Sequence, residues 1–153
     1  MEVILPMKAD NAPLLPMPVK ITPYAHQVTA FNFVCNKFSL LPGAAHSSSG
    51  YGAALLMEMG TGKTLSSIAV AGALYNAGRI RRVLVVAPLS IVGVWDEEFG
   101  KFADFDYTLA VLKGSGAKKL DTLRHMTGQP LQVVVVNYES AWRLETELAA
   151  WKP

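Results

Sequence analysis

Four residues in the stretch MEMGTGKT, Met57 to Thr64, have the types and spacing that phosphate chemistry needs. Gly60 and Gly62 can turn backbone N–H groups onto a common point, Lys63 carries a cation on a flexible stem, and Thr64 supplies a hydroxyl for a metal ion. In this order they predict a nucleotide loop. Lys63 would bridge the β- and γ-phosphates and Thr64 would ligate Mg²⁺. The backbone of Met59, Gly60, Thr61, Gly62, Lys63, Thr64 and Leu65 would cradle the phosphate chain. The longer pattern G-x-x-x-x-G-K-[ST] is incomplete, because Met57 stands at the first glycine position. The expectation therefore rests on GTGKT and on its surroundings. The side chains of Met57 and Met59 read as packing.

Such a loop must be held between a strand and a helix, and the flanking sequence supplies both. AALLM (53–57) reads as the strand and KTLSSIAVAGALYNAG (63–78) as the helix, with Gly78 as its C-terminal cap. Arg79, Arg81 and Arg82 then sit against the negative end of the helix dipole. The alternation continues with strands at 82–87, 107–112 and 131–136 and helices at 90–102, 117–126 and 139–151. Strands apolar on both faces, each followed by a helix, predict an α/β fold: a parallel sheet covered on both sides. Upstream, residues 21–41 predict an amphipathic helix with Thr22 as N-cap, Pro23 at the first helical position, and Tyr24, Val28, Phe31, Val34 or Cys35, and Phe38 on its apolar face. Residues 1–21, with four prolines, predict an extended arm or strap, which leaves 22–153 as the folded unit. The segment PGAAHSSSGYG between them reads as a loop, with His46 solvated.

Composition narrows the function class. With 153 residues and 51% hydrophobic content the chain can bury a real core. Its single cysteine, Cys35, cannot close an internal disulfide and reads as a small buried hydrophobe rather than a nucleophile. Glu2 and Pro6 disfavour a secretory signal, and the longest apolar run, VLVVAPLSIVGVW, is broken by Pro88 short of the roughly 18 residues a membrane span needs. A cytoplasmic location is expected, or the nucleoid or host cytoplasm for a viral source. A net charge of +2 permits nucleic acid as a partner without demanding it. The stretch KGSGAKK looks superficially like a second phosphate loop, but no hydroxyl follows its lysines, so it reads as a flexible strand-to-helix turn. Trp95 and Phe99 share one helical face and read as core.

The stretches TPYAHQ, MEMGTGKT, APLSIVGVWDEEF and VVVVNYES, in this order, resemble the first lobe of Swi/Snf-type DNA-dependent ATPases of helicase superfamily two. The resemblance runs from about residue 20 to 153 and implies a RecA-like lobe that binds Mg-ATP. It makes Gln27 the residue that reads adenine, a task suited to an amide that can both donate and accept. It puts Pro88, Leu89 and Ser90, after a strand, against a nucleic acid backbone, DNA rather than RNA. Ser90 could contact a phosphate, cap its helix, or do both. Asn137 stands where the family usually has threonine at a strand end that touches the nucleic acid.

Hydrolysis in this architecture also needs an acidic pair on a later strand and an arginine from a second lobe. The family's Asp-Glu-x-His is expected just beyond a stretch like LETELAAWKP, where this sequence stops. WDEEF and LETE fall on helices, in the wrong context. Two functions follow from the sequence. Either the chain is part of a DNA-dependent ATPase or translocase completed by a second lobe, or it is a non-hydrolysing module that binds nucleotide, nucleic acid or a partner. Lys63 would be its catalytic residue, with Glu58 and Glu139 the first acids to examine if residues 1–153 turned over ATP alone.

Overall fold

The structure, a computed structural model, describes residues 12–41 and 52–153. The first part of the proline-rich arm and the loop around His46 lie outside the described residues. The order of elements is α1 (Ala25–Lys37), α2 (Lys63–Asn76), β1 (Arg82–Ala87), a 3₁₀ turn (Leu89–Ile91), α3 (Val94–Phe102), β2 (Tyr107–Val111), α4 (Gly116–His125), β3 (Leu131–Asn137), α5 (Tyr138–Arg143) and α6 (Glu145–Trp151). The three strands form a parallel sheet in the order β1-β3-β2. The α/β class expected from the alternating pattern is what the chain adopts.

The central strand explains the layering. Val133 and Val135 of β3 pack with Ile68 of α2 and Phe99 of α3, while Val134 and Val136 pack with Leu123 of α4 and with Leu148 and Trp151 of α6. Strand side chains alternate between faces, so an unbroken valine run must be covered on both. Every residue from Leu131 to Val136 is buried. Trp95 is half-buried and Phe99 meets Phe105 and Tyr107 edge-on or tilted, so both belong to the core as their spacing implies.

A third layer carries the start of the chain. Phe31, Val34 and Cys35 of α1 pack on Ala69, Val70 and Ala73 of α2, with Leu15, Met17 and Val19 laid against them. Residues 17–20 run as a strap. Val19 bridges Ala103, Lys20 N–H donates to Phe102 O at 2.9 Å, and Asp104 N–H donates to Pro18 O at 3.1 Å. The strap crosses α2 at Gly72, where an added Cβ would lie 2.4 Å from Phe105 Cε1 and 2.7 Å from Pro18 Cγ. Only a residue without a side chain lets these layers meet.

Four boundaries differ from the sequence expectation, each for a local reason. Residues 53–57 form no strand: Leu55 packs on the α1–α2 cluster while Leu56 is 96% exposed. Alanine and methionine have weak strand preference, and among the described residues no neighbour pairs with this run. Helix α1 is capped at Tyr24 rather than Thr22, because Gln27 Oε1 captures the Tyr24 N–H at 2.9 Å. Pro23 therefore precedes the helix, and Tyr24 is exposed rather than on the apolar face. The helix expected over 90–102 begins only at Val94, since the β-branched pair Ile91–Val92 and Gly93 favour a 3₁₀ turn first. The helix expected over 139–151 bends at Leu144, whose burial anchors the corner between α5 and α6. Gly78 ends α2 as expected: Arg79 N–H donates to Leu74 O at 2.9 Å and Gly78 N–H to Tyr75 O at 2.8 Å.

Candidate functional site

The glycine loop enters α2 through Gly60 at φ +79° and Gly62 at φ +86°, both in the left-handed region that side chains disfavour. Gly62 is fixed by space as well, because a Cβ there would stand 2.2 Å from Gln27 Nε2. Ser66 N–H makes the first bond of the helix, to Gly62 O at 3.1 Å. The N–H groups of Gly62, Lys63, Thr64 and Leu65 therefore have no backbone acceptor among the described residues and form the open, positive end of α2. Lys63 Nζ donates to Met57 O at 2.9 Å and Glu58 O at 2.8 Å, so the ammonium folds over its own loop. Thr61 Oγ1 donates to Glu58 O at 2.7 Å and tightens the same turn. Thr64 is half-buried in the first turn and Leu65 is buried beneath it. Met59 is 95% exposed, which corrects the expectation that its side chain packs: the turn that converges the N–H groups pushes it outward.

Gln27 is brought onto this loop. Its amide is buried, accepts from Tyr24 N–H through Oε1, and donates from Nε2 to Thr61 O at 3.2 Å. One amide hydrogen and one lone pair remain, the complement that the adenine N7 and N6 edge requires. His26 Nε2 lies 2.9 Å from the same Thr61 carbonyl, and its ring stacks on Tyr24 at 5.8 Å between centroids. His26 is not among the residues expected at the site from the sequence, and its place beside Gln27 on the first turn of α1 is the only local signal of its role. The groups that a phosphate and a magnesium ion require, an open helix N-terminus, a lysine and an adjacent hydroxyl, are thus collected in one loop, and these residues fit Mg-ATP.

The parallel register sets the other candidates at the C-terminal end of the sheet, where open α/β folds commonly bind ligands. Ala87 pairs with Asn137, so Pro88–Ser90 and Asn137 leave the sheet side by side. Leu89 and Asn137 line one cavity of about 610 Å³ together with Lys113, Ser115, Lys119 and Ser140. Pro88, Leu89 and Ser90 are exposed, and Asn137 is half-buried at the cap of α5. Ser90 caps no helix, since α3 starts after Gly93. The capping alternative for Ser90 is therefore corrected by the 3₁₀ turn that intervenes. Exposed Tyr138 and Trp142, on the helix that follows β3, were not singled out from the sequence.

Glu139 Oε1 accepts from Arg143 Nη2 at 2.6 Å, and no group of three metal-ligating side chains occurs among the described residues. Burial pushes the Cys35 thiol up to about 11, which fits a core residue rather than a nucleophile. No helix among the described residues is long and apolar enough to cross a membrane.

Comparison with known proteins points to one family. Chromodomain-helicase-DNA-binding protein 8 from Danio rerio is 39% identical over 49 residues, and its counterparts from Xenopus tropicalis and Homo sapiens are 43% identical over 49. Each match covers 32% of this chain and 2% of the relative, so the chain corresponds to a small part of these proteins. The model of the SNF2-related domain matches residues 26–152, from the helix that carries Gln27 to the end of α6. That span takes in nearly the whole chain, which belongs to the SNF2-related domain family as part of a Swi/Snf-type helicase-like lobe.

Proposed function

We propose that this chain is the nucleotide-holding part of a DNA-dependent, ATP-driven motor of the Swi/Snf type. The observation that carries the proposal is the Lys63 ammonium resting on Met57 O and Glu58 O in the loop that leads into α2, whose first N–H groups have no backbone acceptor among the described residues. Two neutral carbonyls are weak partners for a cation, and the β- and γ-phosphate oxygens of ATP would replace them with charge-assisted bonds. Thr64 would ligate Mg²⁺, and the backbone from Met59 to Leu65 would hold the phosphates. Gln27 would read adenine with its remaining donor and acceptor. Bound Mg²⁺ would neutralise charge on the phosphates; the chain's own residues bind and orient.

A nucleic acid backbone, DNA rather than RNA, would run across the C-terminal end of the sheet over Pro88, Leu89, Ser90 and Asn137. Hydrolysis is assigned to groups supplied in the parent protein by an acidic strand and a second lobe, because catalysis depends on charges set around the γ-phosphate in the transition state. Residues 1–153 alone would then bind ATP weakly without DNA-stimulated turnover. The alternative is a non-hydrolysing module that binds nucleotide, nucleic acid or a partner without turnover.

Phosphate release, measured with and without DNA and compared with a longer chain from the same reading frame, tests the proposal. Stimulation in the longer chain only is the expected result. DNA-stimulated turnover by residues 1–153, abolished by Lys63→Ala, would show that an acid within this chain suffices. No stimulation in the longer chain would favour the binding module.

A further inference from the structure

The peptide between Thr61 and Gly62 is the joint on which the glycine loop enters α2. Gly60 and Gly62 stand on either side of Thr61 at φ +79° and +86°, and glycine takes either sign of φ at little cost, so the chain itself sets a low bar to this peptide turning over. Its carbonyl is held from α1 instead. His26 Nε2 lies 2.9 Å from Thr61 O, and Gln27 Nε2 donates to the same oxygen at 3.2 Å. A carbonyl oxygen only accepts, so the His26 ring carries a hydrogen on Nε2. We infer that His26 is a positioning residue for nucleotide binding: with Gln27 it pins the Thr61 carbonyl against α1 and thereby aims the Gly62 N–H of the same peptide at the phosphate. The inference deepens the reading of this loop as a triphosphate holder and rests on it.

The Thr61–Gly62 peptide is trans, so its C=O and N–H point opposite ways. With Thr61 O turned to the first turn of α1, the Gly62 N–H faces away from α1, where it has no backbone acceptor among the described residues. It belongs to the same open helix end as the N–H groups of Lys63, Thr64 and Leu65. Turned over, the peptide would present a carbonyl oxygen where the loop must offer a donor, and the anion would meet a partial negative charge instead of an N–H.

Two donors occupy both lone pairs of Thr61 O, and the two side chains differ in what else they do. Gln27 is buried, caps α1 through the Tyr24 N–H, and fills the space that a Cβ on Gly62 would need. His26 is exposed, belongs to none of the hydrophobic clusters, and makes no other hydrogen bond among the described residues. Its ring lies against Tyr24, with centroids 5.8 Å apart and planes 13° from parallel, which sets the direction in which Nε2 points. Because His26 holds the loop's backbone and not a base, its effect is the same for any nucleoside triphosphate.

The test is titration of Mg-ATP and Mg-GTP into the 153-residue chain, read by calorimetry and by the Gly62 amide resonance, for wild type, His26→Phe and His26→Gln. Phenylalanine keeps a ring for Tyr24 to stack on and removes the donor, whereas glutamine restores an amide nitrogen with a reach close to that of Nε2. His26→Phe is expected to bind both nucleotides about three- to tenfold more weakly, the loss of one hydrogen bond, with the ratio of the two affinities unchanged. Its Gly62 amide should broaden as the peptide samples two orientations, while β3 resonances stay in place and show that the fold is intact. His26→Gln should recover both the affinity and the sharp signal. If His26→Phe disturbs β3, His26→Ala replaces it in the same comparison. Wild-type affinity with an unchanged Gly62 signal in the variant that lacks the donor would overturn the inference and spare the reading of the loop. A loss that changes the ATP to GTP ratio, or that His26→Gln does not recover, would do the same. Absence of Mg-ATP binding by wild type would sink the triphosphate reading itself.

Discussion

Two junctions in this molecule pass through glycine into a helix, and they use the turn differently. At Gly60–Thr64 the lysine is the first helical residue, its hydroxyl neighbour follows at once, and the ammonium folds back on its own loop. At Lys113–Gly116 the lysine precedes the turn, a serine caps the helix, and Lys119 of that helix reaches a hydroxyl on α5, more than twenty residues on. Gly62 and Gly114 share the same φ of +86°. The backbone geometry is therefore alike, and what differs is where the partners come from. A lysine whose partners lie within its own loop can be read from sequence order. One whose partner comes from another helix becomes visible only when the sheet sets the two ends together.

The comparison breaks or holds on substitutions at the paired glycines. Gly62→Ala combines an unfavourable φ with a Cβ 2.2 Å from the wedged amide of Gln27, and should cost about 3 kcal/mol along with most nucleotide affinity. Gly114→Ala meets the same φ, but its Cβ would lie 3.1 Å from Lys118 Cδ, the flexible part of an exposed side chain, so the expected cost is about 1 kcal/mol. Urea unfolding of the two variants measures the difference. Equal losses would mean that backbone conformation, not the Gln27 contact, governs the first junction.

The layer beneath the first junction has its own signature. Because the folded pKa of Cys35 is raised to about 11 from 9.0, the unfolded thiol ionises first. Stability from its burial is complete below pH 9 and drains between pH 9 and 11, reaching a loss of about 2–3 kcal/mol. Comparison of unfolding at pH 8 and pH 10.5 in wild type and Cys35→Ala isolates this contribution, since the variant should lack it. Gln27→Ala should cost about 1–2 kcal/mol by freeing Tyr24 N–H and leaving Thr61 O with His26 alone, and should narrow the gap between ATP and GTP binding. An unchanged affinity ratio with lost stability would make Gln27 a positioning residue only. The smallest effect is expected at Ser66, whose buried Oγ has no hydrogen-bond partner among the described residues. Ser66→Ala should leave stability equal or raise it by up to about 1 kcal/mol in the same assay.

What was legible in the sequence follows the same division. The valine run of β3, the alternation of strands with helices and the order Gly-Thr-Gly-Lys-Thr are local patterns, and the α/β sheet they imply is the one that forms. The strand expected at 53–57 fails because pairing is not local: a run of Ala and Leu becomes a strand only if a neighbour takes its hydrogen bonds. The cap at Tyr24 was hidden by a familiar Thr-Pro pair, although Gln27 three residues later carries the half of a capping box that decides the boundary. Lys119 and Ser140 lie 21 residues apart, and nothing in their spacing announces a bond that depends on how α4 and α5 meet at the end of β3.

The central claim is that the first junction holds a triphosphate through Lys63. Calorimetric titration of Mg-ATP into wild type and Lys63→Ala, with circular dichroism to show equal folding, tests it most directly. The account predicts weak but measurable binding by wild type, weakened at least about tenfold by the substitution, as expected when a charge-assisted contact worth about 1.5–3 kcal/mol is removed. A folded Lys63→Ala variant that keeps the wild-type affinity would contradict it.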